Sequence, residues 1–189
     1  VNTQQEARGA TLLAVARDAI AQRLGVSGAS HEAQAWLQEP GASFVTLTQQ
    51  DALRGCIGSL AAHRPLLEDV RANAVAAALR DPRFPPLRAQ ELPRIRIEVS
   101  LLSEAADMEF ESESQAISLL RPGTDGVVLQ FGHARGTFLP QVWEALPRPE
   151  DFLAQLKRKA GLPADFWHED IRLSRYTVTK WKESEYDLT

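Results

Sequence analysis

The chain has 189 residues, 44% of them apolar, with a formal net charge of −4 and a pI near 5.6. That composition supports a substantial core in a single domain spanning residues 1–189, with room for a small lobe within it. It excludes the global basic field that drives nonspecific nucleic-acid binding. One cysteine excludes an intrachain disulfide and a multi-cysteine zinc site, and points to a reducing compartment.

Residues 4–24 carry apolar side chains at Leu12, Val15, Ala16, Ala19, Ile20 and Leu24, a helical stripe with charges opposite. The charges Glu6, Arg8, Arg17, Asp18 and Arg23 make this segment neither a signal peptide nor a membrane span, so the expected setting is cytoplasmic, with no membrane partner. Ser27, Gly28 and Ser30 form a flexible break. Ser43 to Gln49, rich in aromatic and β-branched residues, pairs through a Gln50-Asp51 turn with the run Leu53-Arg54-Gly55-Cys56-Ile57-Gly58-Ser59-Leu60, which predicts a β-hairpin. Strand alternation places Arg54, Cys56 and Gly58 on one face and Leu53, Gly55 and Ile57 on the other. Pro65 opens a helix with the stripe Leu66, Val70, Ala74, Ala77 and Ala78, and Asp81-Pro82 ends it.

Three prolines in Asp81-Pro82-Arg83-Phe84-Pro85-Pro86-Leu87 predict an extended segment that fixes the directions of Asp81, Arg83 and Phe84. Arg94 to Ser103 alternates cleanly as a strand with one polar face. Residues 112–121 predict a helix closed by Pro122-Gly123. Gly126 to Phe131 and Thr137 to Leu139 predict strands around a Gly132-His133-Ala134-Arg135-Gly136 turn. Pro149 starts a helix with Glu150 and Asp151 in its first turn, Lys157, Arg158 and Lys159 in its last, and Gly161 beyond; the triplet resembles a phosphate patch, but its position at a helix C-terminus explains it without a partner. Asp170 to Lys182 predicts a final strand. The irregular alternation of hairpins and helices indicates an α+β fold with a mainly antiparallel sheet flanked by helices.

The chemistry-bearing candidates gather around the lone thiol. Cys56 is a small core filler or a functional nucleophile or ligand, with Arg54 as the neighbouring cation that favours thiolate. His31, His63, His133 and His168 are the only imidazoles that could serve as its base. Asp81 either holds Arg83 in place or accepts a proton, so Cys56 and Asp81 are the catalytic candidates. Arg54, Gly55, Gly58, Arg83 and Phe84 are the ligand-binding candidates, the guanidiniums for an anionic group and the glycines for close approach. Metal and cofactor signatures are absent from the sequence: no phosphate loop, dinucleotide fingerprint, zincin or serine-hydrolase motif occurs.

In order along the chain, Leu53-Arg54-Gly55-Cys56-Ile57-Gly58, the Asp81 to Leu87 run with Glu91-Leu92, Val99-Ser100-Leu101-Leu102, Leu139-Pro140, Arg158-Lys159-Ala160-Gly161 and Arg175-Tyr176 resemble the AMMECR domain family, whose bacterial and archaeal members are called AmmeMemoRadiSam system protein A. The resemblance runs from about Phe44 to Lys180. It implies a larger and a smaller lobe around a cleft, and association with Memo-like and radical-SAM proteins. It implies no reaction. Many bacterial relatives carry a second cysteine just before the Lys-Ala-Gly run, where this chain has Gln155 to Arg158, so two-cysteine chemistry is closed to it. Three readings follow: a cleft lined by Arg54, Cys56, Asp81 and Arg83 that binds a small anionic ligand, with Cys56 available for catalysis; a noncatalytic adaptor that docks a partner protein; and nucleic-acid binding, disfavoured by the acidic balance, through a local patch of Arg94, Arg96, Lys157 and Lys159.

Overall fold

The structure is a computed structural model that describes residues 3–26, 28–29 and 34–183, so Ser27, Ser30 and His31 lie outside the described residues. The chain divides into two compact units, Val1–Leu102 with Thr179–Thr189, and Ser103–Val178. In chain order the elements up to residue 102 are α1 (Thr3–Arg23), β1 (Ala42–Gln49), β2 (Ala52–Gly58), α2 (Leu66–Leu79) and β3 (Ile95–Leu102). There follow β4 (Ala106–Asp107), α3 (Glu113–Leu119), β5 (Gly126–Phe131), β6 (Ala134–Phe138), α4 (Pro149–Lys159), β7 (Arg172–Tyr176) and β8 (Val178–Lys182). The fold is α+β, with two four-stranded sheets built on antiparallel pairs and flanked by helices.

The first unit holds the sheet β2-β1-β3-β8. Gln50 and Asp51, with φ of 51° and 60°, make the two-residue turn whose twist suits a hairpin. The β1–β3 register pairs Val45 with Val99 and Leu47 with Ile97, and these four side chains, fully buried, pack with Leu12, Ile20, Val70 and Ala74 of α1 and α2. Each strand therefore has one face closed by helices, while Phe44, Thr46, Cys56 and Glu98 occupy the other face, half-buried.

Three expectations need correction here. The pairing shifts between Leu47–Gly55 and Thr48–Leu53, which leaves Arg54 as the extra residue of a bulge. Alternation breaks there, so Leu53 falls on the side of Thr48 and Cys56, and Arg54 does not share a regular strand face with Cys56. Pro65 is the N-cap of α2, with Leu66 the first helical residue. The segment 170–182 is two strands in two sheets, broken at Thr177, whose N–H bonds Ser103 Oγ and whose carbonyl accepts the Ser103 N–H, both at 2.9 Å.

The second unit holds the sheet β4-β7-β5-β6. The β5–β6 turn is only Gly132-His133, with Gly132 at φ +56°, so Arg135 and Gly136 belong to β6 rather than to a longer turn. Phe152, Leu153 and Leu156 of α4 pack on Val127, Leu129 and Leu173, and Trp143 stacks on Phe152 with ring centroids 3.7 Å apart. Of the basic residues that end α4, Lys157 is turned inward while Arg158 and Lys159 stay exposed. Lys157 is 1% exposed and donates to Glu113 and to the Ala164 carbonyl, and Lys159 donates to the Thr137 carbonyl. Lys157 thus makes no surface patch.

Gly55 is buried, and a Cβ built on it would lie 2.1 Å from the Ala77 carbonyl oxygen of α2. Gly55→Ala is expected to push β2 off the helix and to cost about 1–3 kcal/mol, the usual range for overpacking. Urea denaturation checks this, and an unchanged midpoint would contradict the close strand–helix approach.

Candidate functional site

The site is built where the end of α2 returns to the hairpin. The helix stops at Leu79 because the chain reaches Asp81-Pro82, a pair suited to positions i and i+1 of a turn. Phe84 N–H bonds the Asp81 carbonyl at 3.1 Å and Leu87 N–H bonds the Ala78 carbonyl at 2.8 Å, so residues 81–84 form a turn. The expectation of one extended run over Asp81 to Leu87 is corrected accordingly.

Asp81, 4% exposed, is the node. Its Oδ1 accepts from Arg83 N–H (3.1 Å) and Arg83 Nε (3.0 Å), and its Oδ2 from Arg83 Nη2 (2.7 Å) and the backbone N–H of Cys56 (2.9 Å). The Arg83 guanidinium is the largest cause holding this carboxyl well below its ordinary value of 3.8; burial opposes it, and the two backbone donors assist. Four donors fill the acceptor positions of the carboxylate, so Asp81 in this arrangement holds Arg83 and β2 and has no lone pair left to take a proton. Asp81 in turn is the main reason the Arg83 pKa is raised, with a further push from the nearby Cys56 side chain.

Arg83 keeps 55% of its side chain exposed and lies 5.5 Å over the Phe84 ring. Its Nη2 also reaches the Cys56 carbonyl at 3.4 Å, while its Nη1 has no acceptor among the described residues. Cys56 Sγ accepts from Thr46 Oγ1 at 3.3 Å. No imidazole is hydrogen-bonded to it among the described residues.

Arg54 is differently placed. It is 12% exposed and spends its donors on Glu91 (Nε at 3.1 Å, Nη2 at 3.4 Å) and on the Pro85 carbonyl (Nη1 at 2.9 Å). Glu91 is held below its ordinary pKa first by the Arg88 N–H, with burial opposing and Arg54 assisting. Arg54 is therefore a strut between the bulge and the loop. At Gly55 and Gly58 the positions a side chain would take are filled, by the Ala77 carbonyl at Gly55 and by the Phe44 ring at Gly58. The structure thus brings Cys56, Asp81, Arg83 and Phe84 together, and separates Arg54, Gly55 and Gly58 from them by function in the packing.

Sequence reasoning missed a second buried polar cluster. Asp69, 1% exposed, accepts from Ser43 N–H (2.8 Å), Ser43 Oγ (2.7 Å) and Asn73 Nδ2 (3.0 Å) on one oxygen, and from Ser59 Oγ (2.6 Å) and Arg64 Nε (3.0 Å) on the other. Its signal is Asp69 and Asn73 four residues apart on the apolar stripe of α2, where polar side chains need buried partners. Among the described residues no group of three or more His, Cys, Asp or Glu is placed to hold a metal ion, and no helix is long and apolar enough to cross a membrane.

Two antiparallel sheets flanked by helices, with an Asp-x-Arg turn locked onto an Arg-Gly-Cys strand, define the class of domain. Residues 13–181 match the AMMECR1 family, and the chain belongs to it. A protein of Methanothermobacter thermautotrophicus is 41% identical over 146 residues, 74% of each chain, and one of Thermotoga maritima is 39% identical over 142 residues, 74% of this chain and 76% of its own. The crystal structure of uncharacterized protein PH0010 from Pyrococcus horikoshii superposes with a TM-score of 0.74 at 34% identity, covering 93% of this chain and 91% of that one.

A carboxyl whose folded-state pKa is lowered contributes its stability fully above the ordinary value and loses it as pH falls through the folded value. Wild type is therefore expected to exceed Asp81→Asn in stability near neutral pH, with the gap closing on acidification below 3.8. Denaturant titrations across that range test it, and a pH-independent gap would contradict an ionised Asp81 lock.

Proposed function

We propose that the protein binds a small anionic ligand at Arg83, beside Cys56 and Thr46 on the face of the first sheet turned away from α1 and α2. The supporting observation is that Asp81 fixes one edge of the guanidinium while its Nη1 is unbonded among the described residues, on a side chain that is 55% exposed. A prepositioned planar donor spends little conformational entropy when it meets a carboxylate or phosphate oxygen. The Cys56 thiol is adjacent, but a saturated Asp81, with no imidazole bonded to the thiol among the described residues, favours recognition over thiol catalysis. A docking role has its own support in Leu53 and Leu60, 43% and 48% exposed at the two ends of the motif. Memo-like and radical-SAM proteins are the partners that the family resemblance puts forward for it.

Titration with inorganic phosphate and with succinate, followed by NMR at the Arg83 Nε and the Cys56 amide, is expected to give saturable shifts. Arg83→Gln should weaken binding about tenfold or more, the scale of a lost charge-assisted pair, while the exposed Arg135→Gln leaves it unchanged. If Arg83→Gln fails to fold, Arg83→Lys, which keeps the charge without the free amino edge, carries the test. Unsaturable shifts, or equal binding by wild type and the Arg83 variant, would overturn the proposal.

A further inference from the structure

The second unit carries a groove with a different chemistry. A cavity of about 600 Å³ lies along the segment Asp107-Met108-Glu109-Phe110-Glu111, which leaves the sheet just after β4. β4 is the edge strand of its sheet, and Met108 N–H still bonds the Leu173 carbonyl at 2.9 Å. The apolar members of the segment, Met108 and Phe110, are half-buried over the core residues Ile171 and Leu173, and the Phe110 ring lies 5.7 Å from that of Trp167. The acidic members are exposed.

The groove wall is completed by Glu169 and Arg172, which enter from the other end of the unit's sequence. Four carboxylates thus face one guanidinium. Asp107 accepts from Ser174 Oγ at 2.7 Å, but Glu109, Glu111 and Glu169 form no ion pair among the described residues. The carboxylates that organise the fold are different: Asp81, Asp125, Glu91 and Glu113 each have a cation of their own. Unpaired charge of one sign around an apolar floor marks a surface complementary to a partner of the opposite sign.

We propose that this groove docks a basic, partly apolar segment of a partner protein, its Lys or Arg side chains meeting Glu109, Glu111 and Glu169 and an apolar side chain covering Met108 and Phe110. A wholly polar cation would satisfy the rim and leave the apolar floor wet. A purely protective role for the acidic edge, keeping a sheet edge from pairing with another chain, needs charge alone and no floor.

The test uses the full chain and a fluorescein-labelled peptide, Lys-Leu-Lys-Leu-Lys, read by fluorescence anisotropy. Saturable binding is expected, weakening as salt rises from about 50 mM to about 500 mM. The combined change Glu109→Gln, Glu111→Gln and Glu169→Gln should reduce affinity about tenfold or more, whereas Glu68→Gln, Glu104→Gln and Glu144→Gln together, removing equal charge elsewhere, should not. The peptide Lys-Ser-Lys-Ser-Lys should bind several-fold more weakly than the leucine peptide. No saturable binding, equal loss in both triple variants, or equal affinity of the serine peptide and of spermine would each overturn the proposal. A groove variant that aggregates yet still binds the peptide would assign the acidic edge to protection instead.

Discussion

One buried carboxylate ties the first unit's two sequence motifs into a single structure. Asp81 accepts the Cys56 N–H with the same oxygen that receives Arg83 Nη2, so the turn after α2 and the strand β2 are fixed to each other through one side chain. A buried carboxylate is tolerable only when its lone pairs are filled and a cation stands beside it; here Arg83, two residues on, supplies the cation and three of the donors, and the Cys56 amide supplies the fourth. Arg83 then carries the charge outward, since its far edge remains in solvent.

Around that node the packing leaves little freedom. Gly55 lets β2 approach the last turns of α2 closely, which carries Asp81 to the strand, and the bulge at Arg54 re-aims a guanidinium toward Glu91 and Pro85 instead of toward the thiol. The second carboxylate on α2, Asp69, repeats the arrangement at the other end of the helix by gathering Ser43, Ser59 and Arg64. Two anchored ends therefore fix α2 over the hairpin, and the motif's two glycines serve packing against Ala77 and Phe44.

Much of this was legible in the sequence, because local rules decide it. The α1 stripe, the 44–60 hairpin, the 95–102 strand and the dipole-matched α4 follow from periodicity, turn chemistry and caps. Cys56, Asp81 and Arg83 were singled out for their residue types and do meet in space. The bulge was not legible, since one inserted residue depends on the pairing with β1, and it undid the assignment of Arg54 to the face of Cys56. The split of the last strand was also hidden: a continuous β pattern spans 172–182, and only the partners of Thr177 show that it changes sheets. Lys157 looked like a dipole-complementing surface charge, but the acceptors that bury it, Glu113 and Ala164, come from α3 and from the loop after α4.

The central claim is that Asp81 holds the Arg83 guanidinium and the Cys56 amide at once. NMR of the arginine Nε–H groups together with amide hydrogen exchange measures both contacts directly. The account predicts a resolved, slowly exchanging Arg83 Nε–H and a protected Cys56 amide, both lost together in Asp81→Asn with the rest of the sheet's protection retained. An Arg83 Nε–H that exchanges like that of the exposed Arg135, or a Cys56 amide whose protection survives the substitution, would contradict it.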